Sequence, residues 1–210
     1  DAGLLAAIGV ASVCCVRRPR IALIVTGDEL LAAGSVPSGH CIVDSNSVVL
    51  RALVARDGGV ALPFEILPDQ PDGIRKALEN PQADVLLVSG GSSVGQEDHA
   101  PRLVAELGSL DFHGIAMRPS SPAGVGRIGS RWVFLLPGNP VSCLCAYEFF
   151  AGPTIRALGG RSRAWPHRRV RVPLARKSGS QGGRVDYVRV AIENGGAVPI
   201  ATAGASILSW

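Results

Sequence analysis

A stretch rich in glycine and serine, residues 89–98, directly follows the apolar run of residues 84–88. A buried strand that ends in such a turn leaves backbone N–H groups accessible, because no side chain blocks their approach. Serine hydroxyls add donors, and a helix that begins near Asp98 directs the positive end of its dipole to the same point. The pattern is typical of an anion-binding loop and predicts a phosphorylated ligand. Its candidate binding residues are Ser89, Gly90, Gly91, Ser92, Ser93 and Gly95.

Two further motifs follow predicted strands in the same way. T-G-D-E-L at residues 26–30 closes the apolar run of residues 20–26, and L-P-G-N-P-V-S at residues 136–142 closes the run of residues 132–136. Ligands of open α/β sheets bind beyond the carboxyl ends of the strands, so we expect all three loops to build one site. The two motifs add the candidates Thr26, Gly27, Asp28, Glu29, Pro137, Gly138, Asn139, Pro140 and Ser142.

Strands alternate with helices along the first 160 residues. We predict strands at residues 20–26, 60–67, 84–88, 110–117 and 132–136, with a turn or hairpin at residues 126–131. We predict one helix between the cap at residues 44–47 and the glycines at residues 58–59, and others at residues 69–78, 101–107 and 140–158. This alternation predicts a three-layer α/β fold, in which a mostly parallel sheet is flanked by helices on both faces.

The composition indicates a globular protein with a sizeable core. Apolar residues make up 47% of the 210 residues and charged residues 18%, which argues against disorder. The net charge of +4 comes mostly from arginine, and aromatic residues are only 5%, so no nucleic-acid partner is expected. The five cysteines lack the spacing of zinc or redox sites and predict buried free thiols in a reducing compartment.

The chain begins with an apolar segment, residues 2–16, which is shorter than the roughly 20 residues of a membrane span. Its arginines follow the apolar run, which is the reverse of a secretory signal. We therefore expect no membrane segment and a cytoplasmic location. We predict a buried helix running into a strand, within a helical lead-in of residues 1–18 that continues from an N-terminal region of a longer protein.

The character of the sequence changes after Gly160. Short or alternating apolar runs at residues 169–174, 185–192 and 197–201 lie between glycine clusters and predict β-strands. We place a domain boundary near residue 161. It separates an α/β domain at residues 19–160 from a small β domain at residues 161–210.

The motifs together resemble the molybdopterin molybdenumtransferase family, which includes the bacterial molybdenum-insertion enzyme and the E domain of gephyrin. Within this family T-G-D-E-L, a D-S-N helix start, S-G-G-x-S-V-G-x-x-D, a K/R-P turn and L-P-G-N-P-V-S occur in this order and at similar spacings. In this chain they begin at Thr26, Asp44, Ser89, Arg118 and Leu136. The resemblance covers essentially the whole chain. It implies that the α/β domain resembles molybdopterin adenylyltransferase and that the β domain is the start of a longer one.

The resemblance implies insertion of molybdate into adenylylated molybdopterin, with release of AMP and with Mg²⁺ assisting. Glu29, Asp69 and Asp98 match acidic residues regarded as functional in the family, and carboxylate oxygens suit Mg²⁺. These three are the implied metal ligands, and together with Arg118 they are the implied catalytic residues. The other motif residues, now including Asp44, Ser45, Asn46, Pro119 and Ser121, are the implied pterin-binding set.

The resemblance also implies an assembly. In the family, the active site is completed across a homodimer by the partner's N-terminal domains, which this chain lacks. We therefore expect the chain alone to bind ligand with little or no turnover. Molybdopterin adenylyltransferase and molybdoenzymes are further implied protein partners.

One position departs from the family pattern. Where the K-P-G-K-P turn has its second lysine, this chain reads R-P-S-S-P from Arg118, which places Ser121 there. Molybdate is a dianion, so loss of a nearby cation weakens its capture. Arg118 itself, Arg184 or Arg189 are candidates to compensate.

Alternative readings of these residues stay open at this stage. Two other functions are molybdopterin adenylyltransferase and a pterin-binding or scaffolding module without catalysis. For single residues, Glu29 fits charge complementarity at a helix end, Asp69 and Asp98 fit helix caps, and Asn139 fits a tight turn before a helix. The histidines form no triad or zinc pattern.

Overall fold

A seven-stranded sheet lies at the centre of the chain in a computed structural model, which describes residues 1–90 and 99–201. The strands are β1 (Arg20–Thr26), β2 (Leu30–Leu31), β3 (Ile42–Val43), β4 (Val60–Ala61), β5 (Ile66–Leu67), β6 (Val85–Ser89), β7 (Ser109–His113), β8 (Met117–Arg118), β9 (Gly124–Ile128), β10 (Arg131–Leu136), β11 (Val185–Asp186), β12 (Arg189–Glu193) and β13 (Gly196–Ala201). The helices are α1 (Ala2–Ala7), α2 (Asn46–Arg56), α3 (Pro71–Leu78), α4 (His99–Leu107), α5 (Pro140–Ala146) and α6 (Gly152–Leu158), with a π-helical turn at Tyr147–Ala151 between the last two.

The sheet is mostly parallel, as predicted. Its order is β4-β1-β6-β10-β9-β7, and β5 also pairs with β1. The strands β4, β5, β1, β6 and β10 run parallel to their neighbours, while β9 and β7 form an antiparallel edge. The prediction of an α/β fold with a mostly parallel sheet is confirmed.

Helices cover both faces of the sheet, because successive side chains of a strand point to opposite faces. In β1, Ile21 and Leu23 pack on the face covered by α2 and the α5–α6 helix, whereas Ala22 and Ile24 pack on the face covered by α3 and α4. Because both faces of β1 are buried, its sequence is continuously apolar rather than alternating. The three-layer prediction is confirmed.

Several predicted strands are shorter than the sequence indicated. The strand predicted at residues 60–67 is two short strands, β4 and β5, because Pro63 between them has no N–H for the ladder. The strand predicted at residues 110–117 stops at Gly114, whose φ is +90°. The turn predicted at residues 126–131 overlaps strand β9, which pairs with β10 as a hairpin.

Two other predictions are wrong in detail. The predicted single helix at residues 140–158 is interrupted by the π-helical turn, since Pro153 cannot donate to the carbonyl four residues before it. The buried helix predicted at residues 2–16 is only α1, which has no buried residues, and Leu4 is 68% exposed. Within residues 1–90 and 99–201, no helix is both long and apolar enough to cross a membrane.

The chain after residue 160 contributes three strands to the described structure. β11 pairs in parallel with β8, and β12 and β13 form an antiparallel hairpin. The strand predicted at residues 169–174 is wrong: only Leu174 makes a single bridge, to Ala197, and it is half exposed. An alternating pattern needs an apolar surface to pack on, and Val170 is also largely exposed.

A buried cluster of charges fixes the end of α2 to the last helix. The Asp57 carboxylate, 1% exposed, accepts hydrogen bonds from Arg156 Nη1 at 2.8 Å, from Tyr147 Oη at 3.0 Å and from Arg56 Nη2 at 2.9 Å. Burial alone would raise the pKa of Asp57, but these hydrogen bonds outweigh it and hold the pKa below its usual value. Arg156 also donates to the carbonyls of Ser162 and Arg163, so the cluster anchors the chain that leaves the helix.

Candidate functional site

Glu29 after β1, Gly90 after β6 and Gly138 after β10 line one cavity at the carboxyl edge of the sheet. Val25 and Leu136 both pair with Ser89, so the three parallel strands end at the same level. The cavity has a volume of about 580 Å³. Its lining residues are Val25, Thr26, Glu29, Leu30, Ile42, Val43, Asp44, Ser45, Asn46, Asp69, Ser89, Gly90, Gly138, Asn139 and Pro140.

Four stretches of chain contribute most of these residues. They are the TGDEL loop (residues 26–30), the helix start (residues 44–46), the first residues of the serine-glycine loop (residues 89–98) and the PGNP loop (residues 137–140). The expectation that the three loops meet is confirmed for the residues that the structure describes. Gly91, Ser92, Ser93, Gly95 and Asp98 lie outside the described residues, so their proposed roles stay predictions.

Gly90 allows the serine-glycine loop to leave the sheet against the TGDEL loop. Its φ is +92°, a conformation that favours glycine. A Cβ atom at this position would lie 2.2 Å from the carbonyl oxygen of Thr26. No other residue type fits here without displacing one of the two loops.

The side chain of Asn46 joins the helix start to two of the loops. Its Nδ2 donates to Ser89 Oγ at 3.0 Å and to the Gly138 carbonyl at 2.8 Å. Asn46 is 8% exposed and lies in the first turn of α2, just after Asp44, whose Oδ1 accepts the Ser47 N–H at 3.1 Å. The D-S-N motif therefore starts the helix through Asp44 and ties the loops through Asn46.

Gly27 and Asp28 of the TGDEL loop lie at a second, neighbouring cavity of about 640 Å³. Asp28 Oδ1 accepts the backbone N–H of Asp69 at 3.1 Å, which fixes the loop to the chain just before α3. Leu30 and Asp44 line both cavities. The structure thus places Asp28 as a support for the chain at Asp69, while Glu29 and Asp69 line the first cavity.

The first cavity is acidic. Glu29, Asp44 and Asp69 line it, and its described lining includes no lysine, arginine or histidine. Phosphate in such a cavity needs neutral N–H donors together with a cation that bridges it to the carboxylates. Among the described residues no group of three or more His, Cys, Asp or Glu side chains is close enough to hold a metal ion. The described residues therefore supply carboxylates at the cavity but not a complete metal site.

The hydroxyl of Thr26 has no hydrogen-bond partner in the described part of the chain. Thr26 is 2% exposed and its Oγ1 is fully buried. A buried hydroxyl without a partner costs free energy, so such atoms mark places where a further group belongs. This one lies at the end of β1, beside Gly90.

The thiol of Cys143 lies beside Ser89 and is unreactive at neutral pH. Cys143 Sγ lies 4.0 Å from Ser89 Oγ, and burial raises the pKa of Cys143 to about 12. A thiol with that pKa stays protonated at neutral pH and does not act as a nucleophile. Ser89 therefore contacts protein groups on both sides, Asn46 and Cys143.

The R-P-S-S-P turn lies away from the described lining of this cavity. Arg118 is exposed on β8, where it pairs with β11, and Ser121 is also exposed. Ser120 Oγ donates to the carbonyl of Ser142 at 2.5 Å, which connects the turn to α5. Ser142 is buried and, with Pro137 and Pro119, is not among the described lining residues, so the structure does not bring these three to the cavity.

Of the arginines considered as replacements for the missing lysine, Arg184 is already paired. Its Nε lies 3.1 Å from Asp186 Oδ1. The pKa of Asp186 is held below its usual value by a hydrogen bond from Ser180 and by Arg184 and Arg118. Asp186 thus faces the turn that carries Arg118 and offsets part of its positive charge.

Sequence reasoning missed the apolar wall of the cavity. Leu30, Ile42 and Val43 line it, because β2 and β3 pair in parallel beside the opening. The apolar pairs at residues 30–31 and 42–43, each adjacent to a motif, were the available signal. Two-residue strands are too short to show a period, which is why the pattern did not reveal them.

The comparisons agree with this geometry. A family model described as a probable molybdopterin binding domain matches residues 22–157. A molybdopterin molybdenumtransferase from Nostoc sp. is 37% identical over 180 residues, covering 82% of this chain and 41% of that protein. One from Haemophilus influenzae is 32% identical over 191 residues, covering 89% and 46%. The chain spans less than half the length of these curated relatives.

Two solved structures of molybdopterin biosynthesis proteins are also similar to this chain. The molybdopterin biosynthesis MoeA protein from Pyrococcus horikoshii is similar with a TM-score of 0.80 and 30% identity, covering 95% of this chain and 49% of that one. The molybdopterin biosynthesis enzyme MoaB from Thermus thermophilus has a TM-score of 0.50 and 21% identity, covering 70% of this chain and 99% of that one. The second likeness concerns the fold alone.

Proposed function

The chain belongs to the family of probable molybdopterin binding domains, and from this premise we propose that its cavity binds adenylylated molybdopterin. We further propose that the longer protein of which it forms part inserts molybdate into that pterin and releases AMP, as a molybdopterin molybdenumtransferase. The names of these relatives support the proposed reaction, and the cavity lined by the motif residues supports the proposed location.

One observation carries the proposal: three loops from neighbouring parallel strands line one acidic cavity of about 580 Å³. This volume lies within the range of about 300–1,000 Å³ that is usual for small-molecule sites. Gly90 and Gly138 line the cavity and have no side chains, so a ligand can approach the main chain closely there.

We propose that Mg²⁺ offsets the repulsion between the carboxylates of the cavity and the phosphate of its ligand. Glu29 and Asp69 would hold it, with Asp98 as the third predicted ligand. Mg²⁺ is commonly bound by one or two carboxylates together with substrate phosphates, which fits the few carboxylates of the described lining. When bound, the ion neutralises phosphate charge and polarises its oxygens.

We also propose roles for further residues of the motifs, an assembly and protein partners. Asn139 and Ser45, which both line the cavity, contact the pterin nucleotide, while Arg118 acts on molybdate from the turn joined to α5 through Ser120. The protein works in the cytoplasm as a homodimer and exchanges pterin with molybdopterin adenylyltransferase and with molybdoenzymes. The domain division near residue 161 belongs to this proposal as well.

The strand after residue 160 favours the transferase over an adenylyltransferase. β11 pairs with β8 and places Asp186 beside the turn that carries Arg118. The MoeA structure covers 95% of this chain, so that likeness extends beyond residues 19–160. Incubation of the chain with molybdopterin and Mg-ATP should therefore give no adenylylation, and adenylylated product would favour the alternative.

Glu29→Gln and Asp69→Asn should each weaken Mg²⁺-dependent AMP binding by about 10- to 100-fold, as loss of groups around a bound metal commonly does. Calorimetric titration of AMP with and without Mg²⁺ measures this. Asp72→Asn is the matched control, because Asp72 is exposed on α3 and does not line the cavity. An absence of saturable binding of AMP and of molybdopterin by the unmodified chain would contradict the proposed function.

A further inference from the structure

Asn46 uses both N–H bonds of its amide on the protein itself. The two acceptors are the Ser89 hydroxyl and the Gly138 carbonyl, at 3.0 Å and 2.8 Å from Nδ2. The carbonyl of Gly138 can only accept, so the amide nitrogen rather than the amide oxygen must face it. An amide held in this orientation has no N–H left to donate to a phosphate in the cavity.

The two acceptors belong to chain segments that approach each other closely. Ser89 ends β6, and Gly138 follows β10. A Cβ built on Gly138 would have the Cα of Gly90 as its nearest neighbour, at 3.8 Å, so the two backbones lie side by side at the cavity wall. A small displacement of either segment therefore changes the shape of the cavity.

The helix that carries Asn46 is fixed firmly in the fold. It lies in the first turn of α2, and the same helix packs Leu50 and Val54 into the core with 0% exposure. The helix start is further held by the Asp44 carboxylate, which accepts the Ser47 N–H. A side chain fixed in this way can hold the two segments at Ser89 and Gly138 in place.

We propose that Asn46 is a positioning residue, which sets ligand affinity by holding the Ser89 and Gly138 segments at the cavity rather than by donating to the ligand. The proposal rests on the proposed function only for its effect on affinity. Its effect on the loops is a property of the chain without ligand. The amide oxygen can only accept, and Asn46 lines the cavity.

The test compares Asn46→Asp with Asn46→Ala. Aspartate keeps the size of the side chain and can still accept a hydrogen bond from the Ser89 hydroxyl, but it cannot donate to the Gly138 carbonyl. We expect both variants to speed amide hydrogen exchange in peptides covering residues 136–142, and to weaken Mg-AMP binding, by about tenfold each, which corresponds to the net loss of about one hydrogen bond. Asn80→Asp is the control, since Asn80 Oδ1 only accepts, from the Gln82 N–H, and that role survives the change.

Ser89→Ala completes the experiment, because it removes one acceptor and leaves the Asn46 amide in place. If Asn46 acts through Ser89, the double variant Asn46→Ala/Ser89→Ala will lose less AMP affinity than the losses of the two single variants added together. A general loss of fold would lower the melting temperature without this coupling, so melting curves are recorded for each variant. Should Asn46→Ala not fold, Asn46→Asp and Ser89→Ala carry the comparison.

The outcomes separate the two proposals. In Asn46→Asp, amide hydrogen exchange of residues 136–142 at the wild-type rate, together with AMP binding as tight as in the wild type or tighter, would overturn the positioning role. Asn46 would then act only by accepting a hydrogen bond from the ligand. If the unmodified chain binds neither AMP nor molybdopterin, the proposed function fails, while the exchange rates of residues 136–142 still decide the positioning role.

Discussion

Replacing Asp57 with alanine is expected to lower the free energy of unfolding by about 3–5 kcal/mol, the usual cost of removing one partner from a buried ion pair. The change leaves Arg156, which is 4% exposed, without its carboxylate and removes the acceptor of the Tyr147 hydroxyl. Urea unfolding followed by circular dichroism measures the difference. Arg102→Ala is the control, because the exposed pair of Arg102 and Glu106 should contribute less than about 1 kcal/mol.

The same residue predicts a dependence on pH. The pKa of Asp57 is lower in the folded chain than in the unfolded one, so its contribution is present above the unfolded value of about 3.9 and is lost as pH falls through the folded pKa. The unmodified chain should lose stability below about pH 4 more steeply than Asp57→Ala. Two results would contradict the role given to the cluster. One is an equal fall of unfolding free energy with pH in both proteins, and the other is a loss of unfolding free energy under about 1 kcal/mol in Asp57→Ala at neutral pH.

Gly90→Ala is expected to cost about 2–5 kcal/mol and to abolish AMP binding at accessible concentrations. The value combines the cost of a positive φ in a residue with a Cβ and the cost of overpacking. The added methyl would meet the Thr26 carbonyl oxygen at 2.2 Å, so the serine-glycine loop must move away from the TGDEL loop. Thermal unfolding and calorimetric titration with Mg-AMP measure the two effects.

Gly138→Ala is the matched control for the stability effect. A Cβ there meets nothing closer than 3.8 Å, which is ordinary van der Waals contact. We expect a change in unfolding free energy within about 0.5 kcal/mol, as for substitutions that disturb no special feature. If both glycine variants were equally stable, the close approach at Gly90 would not be a constraint of the fold.

The sequence predicted the central part of the fold well because its signals are local. The apolar runs that became β1, β6 and β10 are bounded by turn residues, and their burial on both faces follows from being continuously apolar. Once those strands were parallel and adjacent, the loops that follow them had to meet at one edge. That is why Glu29 and Asn139 line the same cavity, as expected.

Other features depend on contacts that no local pattern contains. The partners of Asn46 are 43 and 92 residues away along the chain, so its role in joining two loops emerges only from the fold. The buried acceptor role of Asp57 likewise depends on Tyr147 and Arg156 from the last helix. Asp28 and Glu29 are neighbours in one motif, yet they face different cavities.

The wrong predictions have local causes that only the three-dimensional structure makes visible. Pro63 divides a mostly apolar run that otherwise has the pattern of one strand. The alternating residues 169–174 have strand propensity, but Val170 and Leu174 are largely exposed in the described structure. Propensity indicates what a segment can form, whereas packing decides whether it forms it.

A crystal structure of this chain with AMP and Mg²⁺ tests the central claim most directly. We expect the nucleotide in the cavity between Gly90 and Asn139, with Glu29 and Asp69 as the residues that would hold the metal ion. A nucleotide bound at any other surface, while this cavity holds only solvent at saturating ligand, would contradict it.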